Sequence, residues 1–366
     1  MVLLLGANKI GRLRAAVILI IFVFVSVEAS SGDRASYFKS CVGECAQKLC
    51  PLIDEDAEAD VDAEVVGKVK KKWEKETRQL DPNWENENWW MRTMRWDCLS
   101  ECKYDCMHDY SSYRKMIGLP PNKFYGKWPF VRYYGVQEVF SSGASFLNGV
   151  PHAIYLFTPR LRKKFAGEKG YYMRIPLLVF SAVAINSWLW STIFHARDIP
   201  FTEAADYFFA TMQLMYSMWL AAFRIGHSEG FGGGARLLMG WGLGLSFVGF
   251  YGFYLKSMLF VLFDYGWHMK VNGVLVAAHF VSWIVWSLSL GKKRAYRWKA
   301  IAFLAMVLLA ASCEVFDFPP LWGLVDAHAT WHCLTAPMLP LWYKFWIEDT
   351  AWEMQIMKIA KGNKNK

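Results

Sequence analysis

Long apolar blocks dominate the last two thirds of the chain. From residue 131 onward, seven apolar segments follow one another, separated by polar connections. Several are close to the roughly 20 residues that a helix needs to cross the hydrocarbon core of a bilayer. The pattern predicts an all-α polytopic membrane protein built on a seven-helix bundle. The predicted spans are residues 131–157, 172–194, 204–223, 237–255, 271–290, 300–316 and 321–346.

The first 29 residues have the pattern of a secretory signal peptide. Lys9, Arg12 and Arg14 precede an apolar run at 15–27, and cleavage is expected after Ala29. That run is short for a hydrocarbon core of roughly 30 Å, although an uncleaved anchor is the alternative. The sequence therefore predicts that the following polar region is exported.

Residues 30–130 form the predicted exported domain, which contains six of the eight cysteines. Cysteine-rich exported segments are typical of oxidising compartments, where thiols form disulfide bonds. Cysteines four residues apart lie on one face of a helix, which predicts two helices joined by disulfides. Six cysteines allow about 15 pairings, and a zinc cluster is the alternative use of the thiols. For antiparallel helices the favoured pairs are Cys41 with Cys106, Cys45 with Cys102 and Cys50 with Cys98.

Basic residues orient the predicted bundle. An exported N-terminal domain requires the first span to run inward, and most Lys and Arg residues of the bundle then fall on the cytosolic side, as positively charged loops prefer. A basic tail, 347–366, is cytosolic in this arrangement, and a charged insert at about 53–88 interrupts the exported domain. Three basic residues precede the first span on the exported side, against the trend: Lys123, Lys127 and Arg132.

The composition agrees with a membrane protein. Hydrophobic residues make up 54% of the chain and aromatic residues 17%, with 19 tryptophans, which exceeds ordinary soluble domains. The net charge of +9 could suggest a nucleic-acid partner. The basic residues lie in short blocks between apolar runs, so we expect membrane lipids as partners and no nucleic acid.

Five polar residues lie at one predicted level of the membrane. Ser191 and His195 end the second span, Asp206 begins the third, and His328 and His332 begin the seventh. Ionisable groups near bilayer depth are costly and usually functional. Three histidines can bind zinc while leaving a fourth position open, as in catalytic sites. The sequence predicts zinc ligands at His195, His328 and His332, with Asp206 and Ser191 as catalytic residues.

Other interpretations of these residues remain open. The histidines could form hydrogen bonds across the bundle, or Ser191 could be a nucleophile with His195 as its base. A histidine that binds zinc cannot also act as that base, and no third orienting group is recognisable. Acidic residues near the same level are expected to support the histidines from behind. These are Asp198, Asp326, Glu138 and Glu314.

Several of these motifs closely resemble a known family. They include Gly126-Lys127-Trp128-Pro129-Phe130, Ala144-Ser145-Phe146-Leu147-Asn148-Gly149, Trp190-Ser191-Thr192-Ile193-Phe194-His195, Asp317-Phe318-Pro319-Pro320 and Asp326-Ala327-His328-Ala329-Thr330-Trp331-His332. The resemblance is to the family of post-GPI attachment to proteins factor 3, the Per1-like GPI-lipid remodelling hydrolases, over about 33–50 and 96–349. That family belongs to a wider seven-helix group with alkaline ceramidases and progestin and adiponectin receptors. The charged insert departs from the pattern.

The resemblance implies a function. It implies that zinc is held by the three histidines, beside Ser191 and Asp206, in a hydrolase that removes the sn-2 acyl chain from the inositol phospholipid of GPI-anchored proteins. This phospholipase A2-type reaction would take place in the endoplasmic reticulum or Golgi membrane, with the site in the lumen and the C terminus in the cytosol. A non-enzymatic receptor or a ceramidase-like amidase on the same scaffold is the alternative.

Overall fold

The computed structural model describes residues 30–50, 89–228 and 232–364. The predicted signal peptide and the charged insert lie outside the described residues. Within the described ranges the protein is helical, and the only strand-like pairings are three isolated β-bridges. The predicted all-α class is confirmed.

The first described helices belong to the region that we call the cysteine-rich segment, residues 30–50 and 89–130. They are α1 (Ser36–Leu49), α2 (Trp89–Thr93) and α3 (Cys98–Met116). Three disulfides join α1 and its C-terminal end to α3, and they are the pairs expected for antiparallel helices: Cys41–Cys106, Cys45–Cys102 and Cys50–Cys98. Phe38 and Phe124 pack against the buried cysteines and complete a small core.

Nine further helices form the rest of the described chain. They are α4 (Val139–Phe157), α5 (Pro159–Ala166), α6 (Arg174–Ala196), α7 (Pro200–Gly226), α8 (Gly233–Phe260), α9 (Tyr265–Leu290), α10 (Ala295–Phe316), α11 (Ala327–Thr335) and α12 (Leu339–Lys364). Local sequence explains several starts. Proline occupies the first turn of α5 and α7. A backbone N–H in the first turn has no hydrogen-bond acceptor within the helix, so the absence of this group in proline costs nothing there. Asp264 and Asp326 cap α9 and α11.

Four of these helices are long and apolar enough to cross a membrane: α6, α8, α9 and α10. The other three predicted spans correspond to α4, α7 and the pair α11 and α12, which do not meet that measure within the described residues. Their sequences explain this outcome. Buried serine, asparagine and histidine residues lie along α4, charged residues lie in α7, and a 3₁₀ turn at Ala336–Met338 separates α11 from α12.

Two boundaries differ most from the sequence expectation. Residues 131–138 form a turn with a bridge between Tyr133 and Val136, so the first bundle helix starts only at Val139. The region expected to be a basic tail is helical as far as Lys364. The apolar pattern could not locate either boundary, because flanking residues of both regions remain partly apolar.

The bundle helices pack in a closed order. α4 contacts α6, α6 contacts α7, α7 contacts α9, α9 contacts α10, and α11 packs between α10 and α4. The main core lies at one end of the bundle and is rich in aromatic side chains, including Trp283, Trp286, Tyr343 and Trp346. The opposite end carries the C terminus of α6 and the start of α11, and this is the end that adjoins the cysteine-rich segment.

A buried ion network lies beside the aromatic core. Arg224 of α7 donates to both carboxylate oxygens of Asp349, at 2.7 and 2.9 Å, and to Glu353 at 2.6 Å. Arg294 donates to the same Glu353 oxygen at 2.8 Å. Arg224 and Asp349 are fully buried. The network therefore joins α7, α12 and the connection before α10 at the end of the bundle that is far from the histidines.

Candidate metal centre

Three histidines from two helices meet at the end of the bundle near the cysteine-rich segment. His195 lies in the last turn of α6, while His328 and His332 lie one turn apart on α11. Asp326 positions α11 by accepting a hydrogen bond from the Ala329 N–H at 2.7 Å. One nitrogen from each ring lies within 4.8 Å of the others. The structure thus brings together the three histidines that the sequence predicts as ligands.

Two carboxylates fix the orientation of two imidazoles. Glu138 accepts from His195 Nδ1 at 2.8 Å, and Glu314 accepts from His328 Nδ1 at 2.8 Å. A carboxylate has no proton to give, so the proton must be on Nδ1 of both rings. When the rings are neutral, both Nε2 atoms carry a lone pair, and these two atoms lie 3.3 Å apart. Two facing lone pairs repel unless a cation lies between them.

The spacing of the ring nitrogens fits zinc. Tetrahedral zinc with Zn–N bonds of about 2.05 Å places its ligand nitrogens about 3.3 Å apart. His328 Nε2 lies 3.3 Å from His195 Nε2 and 2.9 Å from His332 Nε2. Carboxylates behind the ligating histidines are the usual support for such ions. The donor set therefore fits a three-histidine metal site.

The exposure of the histidines is unequal. His195 and His332 are only 2% and 3% exposed, whereas the side chain of His328 is 42% exposed. Two ligands are thus anchored in the protein interior and the third borders open space. The centre is therefore accessible from the side of His328.

Asp206 and Ser191 lie beside the centre. The Asp206 carboxylate forms a hydrogen bond with the Ser191 side chain. It also lies near enough to His195 and His328 for an electrostatic interaction. Ser191 is buried and lies 3.1 Å from the Ser145 hydroxyl of α4. The structure therefore brings both predicted catalytic residues to the histidines, and it adds Ser145 as a hydrogen-bond partner.

The four predicted supporting carboxylates take three different roles. Glu138 and Glu314 contact histidines directly, whereas Asp326 caps the helix that carries two of them. Asp198 instead forms an ion pair with Lys127 at 3.1 Å.

Lys127 was not singled out by the sequence pattern as part of the site. Its Nζ contacts Glu138 and Asp198 and lies 3.9 Å from the centre of the Phe194 ring. Burial disfavours its charge, but the two carboxylates outweigh that effect and raise its pKa. A basic residue on the exported side, against the charge trend, was the signal in the sequence.

Asn148 was also missed. Its amide donates to the backbone carbonyls of Ala144 and His332, both at 2.9 Å, and so ties α4 to α11. Ser141, Ser145, Asn148 and His152 are all buried and follow one face of α4. Polar residues at that helical spacing in an apolar segment could have indicated a face turned towards the site.

Two cysteines and two histidines of the bundle do not belong to the three-histidine group. Cys313 and Cys333 are free thiols. His268 stacks on Tyr207 and contacts the Tyr254 hydroxyl at 2.7 Å. His152 contacts the Tyr343 hydroxyl at 2.8 Å. These two histidines have local structural partners.

The fold and the centre define a class: a helical membrane protein with a three-histidine candidate metal site at one end of its bundle. The model of the Per1-like family matches residues 88–350. The chain belongs to the Per1-like family, which confirms the resemblance seen in its motifs.

Curated relatives match almost the whole chain. A Xenopus tropicalis protein named GPI-specific phospholipase A2-like PGAP3 is 31% identical, over 92% of this chain and 96% of its own length. Post-GPI attachment to proteins factor 3 of Drosophila melanogaster is 32% identical, over 91% and 94%. Protein PER1 homolog of Schizosaccharomyces pombe is 29% identical, over 91% of both chains. No solved structure matches the chain.

Proposed function

We propose that this protein is a zinc-dependent hydrolase that removes the sn-2 acyl chain from the inositol phospholipid of GPI-anchored proteins. The observation that carries the proposal is the convergence of His195, His328 and His332, with Asp206 and Ser191 beside them. The names of the relatives, which include GPI-specific phospholipase A2-like proteins, support the substrate class. GPI-anchored proteins and membrane lipids are the expected partners.

Bound zinc would supply a Lewis acid for the ester carbonyl and lower the pKa of water towards about 7. The protein supplies the remaining parts of the reaction. Asp206 orients the attacking water and accepts its proton, because its carboxylate lies beside the histidines and Ser191. The Ser191 hydroxyl donates a hydrogen bond to the oxyanion that develops on the ester, and Ser145 fixes the Ser191 hydroxyl.

The contacts of His195 argue against a serine nucleophile at Ser191. Nδ1 of His195 is engaged by Glu138, and its Nε2 faces His328 Nε2 at 3.3 Å. Neither nitrogen of His195 is therefore left to activate the serine hydroxyl. The water-based reaction leaves both nitrogens of His195 in the contacts they already make.

We further propose that the site faces the lumen of the endoplasmic reticulum or Golgi. The cysteine-rich segment, with its three disulfides, adjoins the end of the bundle that carries the histidines. Disulfides form in oxidising compartments, so this end belongs on the luminal side. The proposal includes a cleaved signal peptide at residues 1–29, seven spans within residues 131–346 and a cytosolic C terminus.

The function can be tested with two histidine variants and a control. His195→Ala and His332→Ala should abolish the release of the sn-2 acyl chain from GPI lipid by the purified protein. Mass spectrometry of the lipid products measures this release. His227→Ala is the matched control, because His227 stacks on Tyr172 outside the centre and should retain wild-type release. Full activity of either of the first two variants would refute the mechanism.

A further inference from the structure

Three basic residues before α4 contradict the charge trend of the sequence, and each one binds a carboxylate. Lys123 pairs with Asp317, Lys127 with Glu138 and Asp198, and Arg132 with Glu101. All three have side chains that are mostly buried, at 17%, 21% and 18% exposure. These charges are therefore neutralised within the protein.

The Lys127 contact reaches the metal centre. Glu138 uses one carboxylate oxygen, Oε1, for Lys127 Nζ and the other, Oε2, for His195 Nδ1. One carboxylate thus bridges an ammonium group and a candidate metal ligand. Because both oxygens have a fixed partner, the carboxylate plane cannot rotate without breaking one of the two contacts.

The backbone on both sides of this bridge is fixed. The Glu138 N–H donates to the His195 carbonyl and the Gln137 N–H to the Ala196 carbonyl, both at 2.9 Å. These bonds hold the start of α4 against the end of α6. The remaining freedom lies in the Glu138 side chain, and Lys127 is the group that restrains it.

The position of Lys127 is set by the cysteine-rich segment. Phe124 and Lys127 close a tight turn by exchanging backbone hydrogen bonds of 2.7 and 2.9 Å, with Gly126 at a φ of +84°. Phe124 is 3% exposed and packs on Phe38, with ring centres 5.0 Å apart, in the core of the disulfide-linked helices. A chain of contacts therefore runs from the disulfide core through Phe124, Lys127 and Glu138 to His195.

We propose that Lys127 is a positioning residue for the metal centre, acting through Glu138 on His195. This inference rests on the proposed function, since it assumes that the histidines bind a metal. It assigns a functional role to the cysteine-rich segment. The segment supplies the cation that holds Glu138 in place, so the metal centre is complete only when the segment is folded against the bundle.

The test measures zinc affinity of the purified full-length protein by competition with a chromogenic chelator. Lys127→Met, which keeps the aliphatic stem, should weaken zinc binding about three- to tenfold, less than the 10–100-fold typical when a direct partner of a ligand is removed. Lys127→Arg keeps the cation beside Glu138 and should bind zinc as tightly as the wild type. Arg132→Met is the matched control, because it removes a similarly buried cation that pairs with Glu101 of the cysteine-rich segment and does not touch Glu138. Its affinity should equal that of the wild type.

A double variant tests the route through Glu138. If Lys127 acts through this carboxylate, Lys127→Met should weaken zinc binding no further when Glu138 is already alanine. Equal affinity of Lys127→Met and wild type would overturn the inference, as would equal losses in Lys127→Met and Arg132→Met. A wild-type protein that binds no zinc would instead overturn the proposed function, so the two failures are distinguishable.

Discussion

The Nε2 atom of His332 lies 2.9 Å from the Nε2 atom of His328. The two residues are one helical turn apart on α11, so the helix itself brings the rings together. The His328 Nδ1 proton is engaged by Glu314, whereas His332 Nδ1 is buried without a hydrogen-bond partner among the described residues. The two rings therefore direct their Nε2 atoms to one point, and only the His328 ring is held by a carboxylate.

Removing Glu314 should weaken metal binding. Without the carboxylate, His328 loses the partner that fixes its ring and tautomer, and we expect Glu314→Ala to reduce zinc affinity about 10–100-fold. Chelator competition measures this change. Glu348→Ala is the control, because Glu348 pairs with Lys299 on the outside of α12. Unchanged affinity in Glu314→Ala would show that the carboxylate does not support the ion.

Neutralising Asp206 should separate chemistry from metal binding. Asp206→Asn removes the proposed proton acceptor while leaving all three histidines, so we expect kcat to fall about 10²–10⁴-fold with zinc content unchanged. Activity and metal content are measured on the same preparation. Glu203→Gln is the matched amide substitution, one turn earlier on α7, where Glu203 contacts the Tyr207 hydroxyl. Equal losses of kcat in both variants would argue against a specific role for Asp206.

Deleting the cap of α11 should affect the centre through the helix. Asp326→Ala leaves the first turn of α11 without its side-chain acceptor, which costs about 1 kcal/mol and loosens the turn that carries His328. We expect a lower unfolding temperature together with weaker zinc binding. Asp264→Ala removes the equivalent cap of α9, which carries none of the three histidines. That variant should lose stability and keep its zinc affinity; a loss of affinity there would contradict a local effect.

The ion network at the far end of the bundle should govern stability. Arg224→Ala leaves Asp349 as an unpaired buried charge, and breaking such a pair costs about 3–5 kcal/mol. We expect poor thermal stability, with wild-type zinc stoichiometry in the folded fraction. Lys163→Ala breaks an exposed pair with Glu168, which solvent screens, so this variant should unfold at nearly the wild-type temperature. Thermal unfolding in detergent compares the two; similar costs would contradict the importance of burial.

Particular residues explain which parts of the fold the sequence could predict. The four-residue spacing of the cysteines on α1 and α3 fixes one helix face, so the disulfide pairs follow once the helices are antiparallel. Arg224 and Arg294 illustrate the opposite case. Both are basic residues near predicted span ends, where they count as solvated cytosolic charges. In the fold they are buried against Asp349 and Glu353, more than 50 residues away in sequence.

The candidate site likewise contains pairs that the sequence predicts and contacts that it does not predict. Ser191 with His195, and His328 with His332, are pairs on single helices, so local periodicity locates them. The supporting contacts join distant positions: Glu138 is 57 residues from His195, and Lys127 lies in a turn outside the bundle helices. Asp198, Asp326, Glu138 and Glu314 look equivalent in sequence. Only tertiary packing decides that two of them contact histidines, one caps a helix and one pairs with Lys127.

The most direct test of the account is the metal content of the purified protein. Inductively coupled plasma mass spectrometry should find about one zinc ion per wild-type molecule, as expected for a single three-histidine site. His195→Ala and His332→Ala should contain almost none, whereas His227→Ala should match the wild type. Wild-type protein that cleaves its lipid substrate without bound zinc, or histidine variants that retain the ion, would contradict the central claim.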